Sequence, residues 1–127
     1  MTVLPKILHV EDDPDIREIA LIALETIGGL PVVQCASGTE ALARVSEVMP
    51  DLFLLDMSMP DMDGVETLNA LRALPGLAAI PAIFMTARAQ DWEHAELLSK
   101  GANAVITKPF DAMKLAQEIR EIWDGLG

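Results

Sequence analysis

Residues 52–64 read LFLLDMSMPDMDG, an apolar run that ends at an acidic residue and continues into a turn rich in Met, Asp and Gly. An uninterrupted run of four apolar residues is typical of a strand that is buried on both faces of a sheet. The five such runs predict a five-stranded sheet with helices covering both of its faces. The other four, all mainly apolar, occur at residues 7–10, 31–35, 82–85 and 104–107.

The segments between these runs have the spacing of apolar residues that is typical of helices. Between Ile16 and Ile27, apolar residues recur three or four positions apart and form one stripe. Residues 90–100 are more polar but also fit a helix. Strands that alternate with helices predict an α/β fold, in which parallel strands are joined by right-handed crossovers. Further helical stripes occur at residues 41–49, 65–71 and 115–123.

Length and charge narrow the classes of function. The chain has 127 residues and carries 20 Asp and Glu against 9 Lys and Arg, a net charge of −11. The length fits one domain, residues 1–127, and the acidity argues against direct binding to nucleic acid or to anionic lipid. The single cysteine, Cys35, excludes an internal disulfide, and no apolar run is long enough to span a membrane. The N-terminus also lacks a signal-peptide pattern, so we expect a cytoplasmic protein.

Polar residues directly follow four of the five runs. Glu11 and Asp12 follow the first run, Asp56 the third, Thr86 the fourth and Lys108 the fifth. The carboxyl ends of parallel strands meet at one edge of a sheet, which is where α/β proteins of this kind bind their ligands. We therefore expect these five side chains to lie close together, although they are far apart in the sequence.

A cluster of carboxylates at that edge needs a compensating charge. Carboxylates about 5 Å apart repel one another by roughly 3 kcal/mol per pair at an effective dielectric constant of 20. Either a proton or a cation must relieve this repulsion, and burial strengthens the need. Mg²⁺ is the natural cation, because it binds a few protein carboxylates and keeps water or phosphate oxygens as its other ligands. Lys108 would add a positive charge for a phosphoryl oxygen.

Each of these residues also has an ordinary structural explanation when it is taken alone. Glu11 and Asp12 fit a solvated helix entrance, Thr86 fits the N-cap of the next helix, and Lys108 fits a surface lysine. Asp56 fits a turn, and Asp13, which precedes a proline, is interpreted as a helix N-cap outside the site. The shared position at the ends of strands favours a joint site.

These stretches of sequence resemble the receiver domains of response regulators, which act in two-component signalling. Residues 7–13 resemble the first strand and acid pair of that family, and residues 56–64 resemble its phosphoacceptor loop. Residues 85–87 and 101–110 resemble the ends of its fourth and fifth strands. The motifs occur in the family's order over nearly the whole chain. The resemblance implies a flavodoxin-like, doubly wound parallel sheet with strand order 2-1-3-4-5 and five helices.

The resemblance assigns a role to each acidic residue. Asp56 would accept a phosphoryl group from a phosphohistidine, supplied by a sensor histidine kinase or a histidine phosphotransfer protein. Asp12, Asp56 and the backbone carbonyl of Ser58 would bind Mg²⁺, with Glu11 assisting through water. The chain would then be a signalling switch and not an enzyme, promoting only its own phosphorylation and dephosphorylation.

The remaining motifs imply how phosphorylation would change the surface of the chain. Thr86 and Lys108 would bind phosphoryl oxygens, supported by Ala87 and by a cis peptide bond before Pro109. Drawing both side chains inward would move the loop after the fourth strand and the end of the fifth. The surface formed by the last two helices and the fifth strand would therefore contact a downstream protein or a second copy of the chain.

Two positions depart from the family pattern or leave a role open. The family often has an aromatic residue where this chain has Val105, so a movement of a large ring cannot be assumed here. Any change of the output surface would then rest on shifts of backbone and helices. Arg88, two positions after Thr86, would flank the site and either slow dephosphorylation or bind the phosphate.

Two other classes of function remain open at this point. A Mg²⁺-dependent hydrolase of the haloacid-dehalogenase type also forms an aspartyl phosphate, but it needs a second Asp where this chain has Ser58. An unphosphorylated protein-binding module on the same fold would not require the polar residues at the strand ends. Neither histidine is predicted to be a phosphodonor, since His9 fits a neutral core residue and His94 a solvated helix face.

Overall fold

The structure is a computed structural model that describes residues 4–126, and within that range five strands form one parallel sheet. The strand order is β2-β1-β3-β4-β5, and every neighbouring pair is parallel. This order confirms the predicted flavodoxin-like fold class. The strands are β1 (Ile7–Val10), β2 (Val32–Cys35), β3 (Leu52–Asp56), β4 (Ala82–Thr86) and β5 (Ala104–Thr107).

Five helices connect or follow the strands within the described residues. They are α1 (Pro14–Leu21), α2 (Gly38–Val48), α3 (Gly64–Arg72), α4 (Asp91–Ser99) and α5 (Leu115–Leu126), and a π-helical segment (Ile22–Ile27) continues α1. The single stripe of apolar residues predicted there is therefore shared by two helical geometries. None of the helices in residues 4–126 is long and apolar enough to cross a bilayer.

The N-termini of α1 and α4 test the predicted roles of Asp13 and Thr86 as helix caps. The side chain of Asp13 accepts hydrogen bonds from the N–H groups of Asp15 and Ile16, so Asp13 caps α1 as predicted. Thr86 is not the N-cap of α4, because that helix begins after Gln90. The intervening loop separates Thr86 from the helix, which leaves its hydroxyl at the end of β4.

Two apolar layers hold the sheet, one on each face. Alternate residues of a strand enter opposite layers. Leu52 and Leu54 share a layer with α5 and with the π-helical segment that continues α1, while Phe53 and Leu55 share the other layer with α2, α3 and α4. The two layers bury the central strands completely, and β3 and β4 are buried along their whole length. Cys35 lies buried as a free thiol in the second of these layers.

Gly64 brings the start of α3 against the loop that follows β3. A Cβ atom at this position would lie 2.8 Å from the carbonyl oxygen of Asp56 and 2.9 Å from Sδ of Met57. Only glycine allows so close an approach, because a side chain would have to displace backbone. The glycine therefore fixes the position of the loop at the carboxyl end of β3.

Candidate functional site

Three carboxylates meet at the carboxyl edge of the sheet. One oxygen from each of Glu11, Asp12 and Asp56 lies within 4.8 Å of the others. The register explains the meeting, since Val10 of β1 pairs with Leu55 of β3 and the next residue of each strand is acidic. Glu11 and Asp56 are 1% and 2% exposed, whereas Asp12 is half-buried and faces the opening. All three offer oxygen atoms, the donors that Mg²⁺ prefers.

Lys108 places a positive charge between two of these carboxylates. Its Nζ lies 2.9 Å from Oε1 of Glu11 and 2.9 Å from Oδ1 of Asp56. The backbone of the same residue is anchored, because its N–H donates to the carbonyl oxygen of Thr86 at 2.7 Å. The peptide bond between Lys108 and Pro109 is cis, the geometry that the resemblance implies.

One ammonium group does not neutralise the cluster. Burial raises the pKa of Glu11 to about 7, and the neighbouring Asp56 adds to the rise, while the hydrogen bond from Lys108 opposes it. Burial alone would lower the pKa of Lys108, but its bonds to Glu11 and Asp56 outweigh burial and raise that pKa. The lysine is therefore charged at neutral pH, and Glu11 holds a proton for a large part of the time. A second cation would displace that proton.

Ser58 follows Asp56 by two residues, and Thr86 directly follows Met85, the partner of Asp56 on β4. The N–H of Ser58 donates to Oδ1 of Asp56 at 3.3 Å, and Ser58 itself is exposed at the rim of the site. The buried hydroxyl of Thr86 accepts a hydrogen bond from the N–H of Arg88 at 3.1 Å. Within residues 4–126 this hydroxyl donates to no other group, so its proton is available to a ligand.

Comparison with known proteins agrees with this arrangement. Residues 7–120 match the family model of the response regulator receiver domain. This chain belongs to that family. Receiver domains are signalling switches rather than enzymes, and in response regulators they interact with histidine kinases and downstream targets. The assignment separates the chain from the hydrolase class left open by the sequence.

Relatives of this receiver domain include both short and long proteins. It is 36% identical over 115 residues to an uncharacterized 14.6 kDa protein in the sodA1 3' region of Leptolyngbya boryana, covering 91% of this chain and 87% of that protein. It is 34% identical to the phosphate regulon transcriptional regulatory protein PhoB of Rhizobium meliloti, covering 92% of this chain and 51% of that protein. The chain thus spans about half the length of several of its curated relatives.

Solved structures similar to this receiver domain share its whole fold. The chemotaxis response regulator CheY4 of Vibrio cholerae superposes with a TM-score of 0.85 at 28% sequence identity, covering 94% of this chain and 99% of that one. A signal receiver domain of a histidine kinase from Syntrophus aciditrophicus superposes with a TM-score of 0.80 at 33% identity, covering 96% of this chain and 92% of that one.

The loop after β4 is connected to α4 and β5 through contacts of His94 and Arg88 that the sequence did not predict. Nε2 of His94 lies 2.7 Å from the carbonyl oxygen of Arg88 and 3.3 Å from Oγ1 of Thr107. His94 is half-buried, so its prediction as a residue of a solvated face was wrong. The guanidinium of Arg88 points towards α4, where its Nε lies 3.7 Å from Oε2 of Glu93. No local pattern marks His94, because its partners come from a loop and from another strand.

Val105 and Ala87, which the sequence analysis also named, lie on β5 and in the loop after β4. Val105 is half-buried on β5 and packs against the layer that contains α4. Ala87 is exposed and follows Thr86 directly. With Lys108 and Pro109, Ala87 also lines a mainly apolar cavity of about 310 Å³, which lies between α1 and the segment after β5. The remaining lining residues are Ile16, Ile19 and Phe110.

His9 is a neutral core residue, as predicted. It is fully buried in β1, and its Nδ1 lies 3.1 Å from Nε2 of Gln34. Burial, together with the smaller effects of the positive charges of Lys108 and Arg17, lowers the pKa of His9 to about 3. His9 is therefore not charged at neutral pH, and it does not contribute to the neutralisation of the acidic cluster.

Proposed function

We propose that residues 1–127 form a receiver domain that accepts a phosphoryl group on Asp56 in a Mg²⁺-dependent reaction. The observation that carries the proposal is the position of the Lys108 ammonium, 2.9 Å from both Glu11 and Asp56 and beside Asp12. A buried carboxylate that is flanked by acids and by one lysine is poorly compensated without a further cation. The same groups suit a reaction that transfers negative charge onto the carboxylate.

The residues of the site fit Mg²⁺ by the chemistry of their donors. Asp12, Asp56 and the backbone carbonyl of Ser58 would hold the ion, and Glu11 would bind it through water. The raised pKa of Glu11 fits this assignment, because burial, its main cause, and the neighbouring Asp56 both disfavour the charged carboxylate, which a bound cation would favour. When bound, Mg²⁺ neutralises charge on the phosphoryl oxygens and on Asp56.

The chain's own residues account for the transfer. A carboxylate oxygen of Asp56 attacks the phosphorus atom of a phosphohistidine, an oxygen–phosphorus bond forms, and the phosphorus–nitrogen bond breaks. The donor imidazole leaves with the electron pair of the broken bond. Lys108 then pairs with one phosphoryl oxygen, and the hydroxyl group of Thr86 donates a hydrogen bond to another. The product is an acyl phosphate, which hydrolyses readily and therefore makes the signal temporary.

The hydrogen bonds of Thr86 support a path from the phosphoryl group to the surface. The N–H of Arg88 is bonded to the Thr86 hydroxyl, and the carbonyl oxygen of Arg88 is bonded to His94 on α4. An inward movement of Thr86 would therefore displace the loop and shift α4, without an aromatic residue at Val105. We propose that the surface of α4, β5 and α5 carries this change to a downstream protein or to a second copy.

The phosphodonor would approach on the other side of Lys108. The apolar cavity beside that residue is lined by Ile16, Ile19 and Phe110, and Ile22, the first residue of the π-helical segment that continues α1, is also exposed. A helix of a sensor histidine kinase or of a histidine phosphotransfer protein would cover these apolar side chains and bring its phosphohistidine to Asp56. The proposal names no particular kinase.

A small phosphodonor tests the acceptor assignment directly. Acetyl phosphate with Mg²⁺ should add one base-labile phosphoryl group to the wild-type chain and none to Asp56→Asn, as measured by mass spectrometry. Asp61→Asn is the matched control, because Asp61 is an exposed aspartate of the loop that follows β3. Equal labelling of wild type and Asp56→Asn would refute the acceptor, and absence of labelling from both would favour an unphosphorylated binding module.

A further inference from the structure

The guanidinium group of Arg17 holds the acidic turn between β1 and α1. Its Nη1 donates to the carbonyl oxygen of Glu11 at 2.8 Å and to the carbonyl oxygen of Asp12 at 3.1 Å. Arg17 is half-buried and is the fourth residue of α1, so its side chain returns along the helix towards the turn. One side-chain nitrogen thus bonds the backbone of both acidic residues.

These two carbonyl groups have no partner in regular secondary structure. β1 ends at Val10, and the residues precede Asp13, the N-cap of α1. Across residues 4–126, Arg17 supplies the only hydrogen bonds that either carbonyl oxygen accepts. The Arg17 side chain therefore restrains the carbonyl side of the turn, while the N–H groups of Glu11 and Asp13 donate to the carbonyl oxygen of Cys35 and to Oε2 of Glu11.

Arg17 is itself fixed from the sheet. Nε2 of Gln34, on β2, donates to the carbonyl oxygen of Arg17 at 2.8 Å and lies 3.1 Å from Nδ1 of His9 on β1. His9 is buried and neutral, so it accepts this bond at neutral pH. Two strands thus set the position of the helix residue that restrains the turn.

Electrostatics alone would not place an arginine at this position. The N-terminal end of a helix favours anions, and a positive charge close to the acidic cluster opposes the binding of a dication. Without a cation the carboxylates of Glu11, Asp12 and Asp56 also repel one another, and Asp12 is the most exposed of the three. A turn without restraint would relax by moving Asp12 away from the site.

We propose that Arg17 is a positioning residue for the cation site, which keeps the carboxylate of Asp12 directed at Asp56 before Mg²⁺ arrives. The inference rests on the Mg²⁺-dependent function proposed above. The direction of the change in Mg²⁺ affinity on replacing Arg17 tests this role. If only the charge of Arg17 mattered, its loss should tighten Mg²⁺ binding, whereas loss of a positioning residue should weaken it.

Titration with Mg²⁺ alone, monitored by amide chemical shifts, measures this change in Mg²⁺ affinity without any phosphodonor. Arg17→Gln should raise the Mg²⁺ dissociation constant by about tenfold, the scale of losses seen when groups that orient metal ligands are removed. Arg17→Lys retains the charge, but its compact ammonium does not hold both carbonyl oxygens as well. We expect its dissociation constant to lie between those of wild type and Arg17→Gln.

Arg120→Gln is the matched control. Arg120 also donates to a backbone carbonyl, that of Gly28, and its replacement removes the same charge. Gly28 directly follows the π-helical segment that continues α1, at the end remote from the acidic turn. Its Mg²⁺ affinity should remain within about twofold of wild type, because exposed charges separated by more than about 10 Å are largely screened by salt.

Phosphorylation by acetyl phosphate separates positioning from a general structural defect. Arg17→Gln should need more Mg²⁺ for half-maximal rate and should reach nearly the wild-type rate at saturating Mg²⁺. A rate that stays low at every Mg²⁺ concentration would overturn the positioning role, and thermal unfolding checks that each variant is folded.

The outcomes distinguish this inference from the proposed function. A wild-type chain that binds no Mg²⁺ would overturn both. A wild-type chain that binds Mg²⁺, with equal or tighter binding by Arg17→Gln, would overturn the role of Arg17 alone. If Arg17→Gln does not fold, Arg17→Lys decides, and wild-type affinity in that variant would overturn the inference.

Discussion

The ammonium nitrogen of Lys108 lies 2.9 Å from Oδ1 of Asp56, a residue 52 positions earlier in the chain. This contact joins the carboxyl ends of β3 and β5, which are separated in the sheet by β4. It places a cation directly on the carboxylate that we propose as the phosphoacceptor. Glu11 shares the same ammonium, so Lys108 links the two buried carboxylates.

Replacement of the lysine should separate cation binding from switching. Lys108→Met removes a positive charge next to the carboxylates, so the Mg²⁺ dissociation constant should fall by about fivefold, the equivalent of roughly 1 kcal/mol of repulsion. The amide shifts that beryllium fluoride induces in α4 should largely disappear, because no ammonium remains to follow the phosphoryl mimic. NMR titrations with each ligand measure both effects.

The control for this variant is Lys114→Met, which removes the same charge from an exposed position. It should change neither Mg²⁺ affinity nor the response to beryllium fluoride. Weaker Mg²⁺ binding by Lys108→Met than by wild type would contradict the assigned electrostatics. A full response of α4 in Lys108→Met would show that Lys108 is not part of the switch.

The raised pKa of Glu11 predicts a dependence of stability on pH in the absence of metal. Its ordinary value is 4.5 and its folded value about 7, so the folded state binds more protons than the unfolded state between these limits. The stabilisation due to Glu11 is therefore complete below about pH 4.5 and is lost as the pH rises through 7. His9 acts oppositely, since its pKa is lowered from 6.5 to about 3 and its stabilisation is lost as the pH falls below 6.5.

Glu11→Gln tests whether the stabilisation due to Glu11 is lost as the pH rises. The free energy of unfolding of the variant, relative to wild type, should rise between pH 5 and pH 7.5, because only wild type loses the stabilisation due to Glu11 over this range, while the contribution of His9 is common to both proteins. Urea denaturation in the presence of a chelator at both pH values measures the difference. Glu18→Gln, at an exposed position on α1, should run parallel to wild type. A relative stability of Glu11→Gln that stays the same at the two pH values would show that the pKa of Glu11 is not raised in the folded chain.

His94 should carry the movement of the β4–α4 loop to the surface. Trp92 lies two residues earlier on α4 and is 66% exposed, so its fluorescence reports on the start of that helix. In a Trp123→Phe background, beryllium fluoride should change this fluorescence in the parent chain. In His94→Leu the change should be reduced by at least about half, because the helix loses its hydrogen bond to the carbonyl oxygen of Arg88.

The labelling of Asp56 by acetyl phosphate should be unaltered in His94→Leu, since His94 does not contact the acidic cluster. Ser99→Ala, at the other end of α4, is the control and should respond like the parent chain. A full fluorescence response in His94→Leu would exclude the histidine from the path. Loss of labelling would place its effect at the phosphorylation site instead.

The strands could be predicted closely because the signal for a buried strand is local. The apolar runs at residues 7–10 and 104–107 coincide with β1 and β5, and the runs ending at Leu55 and Met85 stop one residue before the ends of β3 and β4. Helical stripes were equally visible, but the change to a π-helical segment at Ile22 was not, and two residues of that stripe, Ile19 and Ile27, are exposed.

The members of the site could be predicted, but their physical state could not. Parallel strands bring Glu11, Asp56 and Lys108 to one edge of the sheet wherever the strand ends carry these residues. Burial and mutual distance decide which carboxylate holds a proton, and these quantities do not follow from spacing along the chain. Likewise, Arg17 is inconspicuous in the sequence, because its partners are backbone carbonyl groups rather than side chains.

Local pattern therefore established the alternation of strands and helices, the α/β class, and the set of polar residues at the carboxyl ends of the strands. These properties depend on neighbours a few residues apart, and periodicity records them directly. The tertiary structure alone decided that Glu11 is buried with a raised pKa, that Lys108 bridges two carboxylates, and that His94 and Arg17 bond distant backbone. Electrostatic and hydrogen-bond energies depend on separations of a few ångströms between remote segments, which only the folded chain defines.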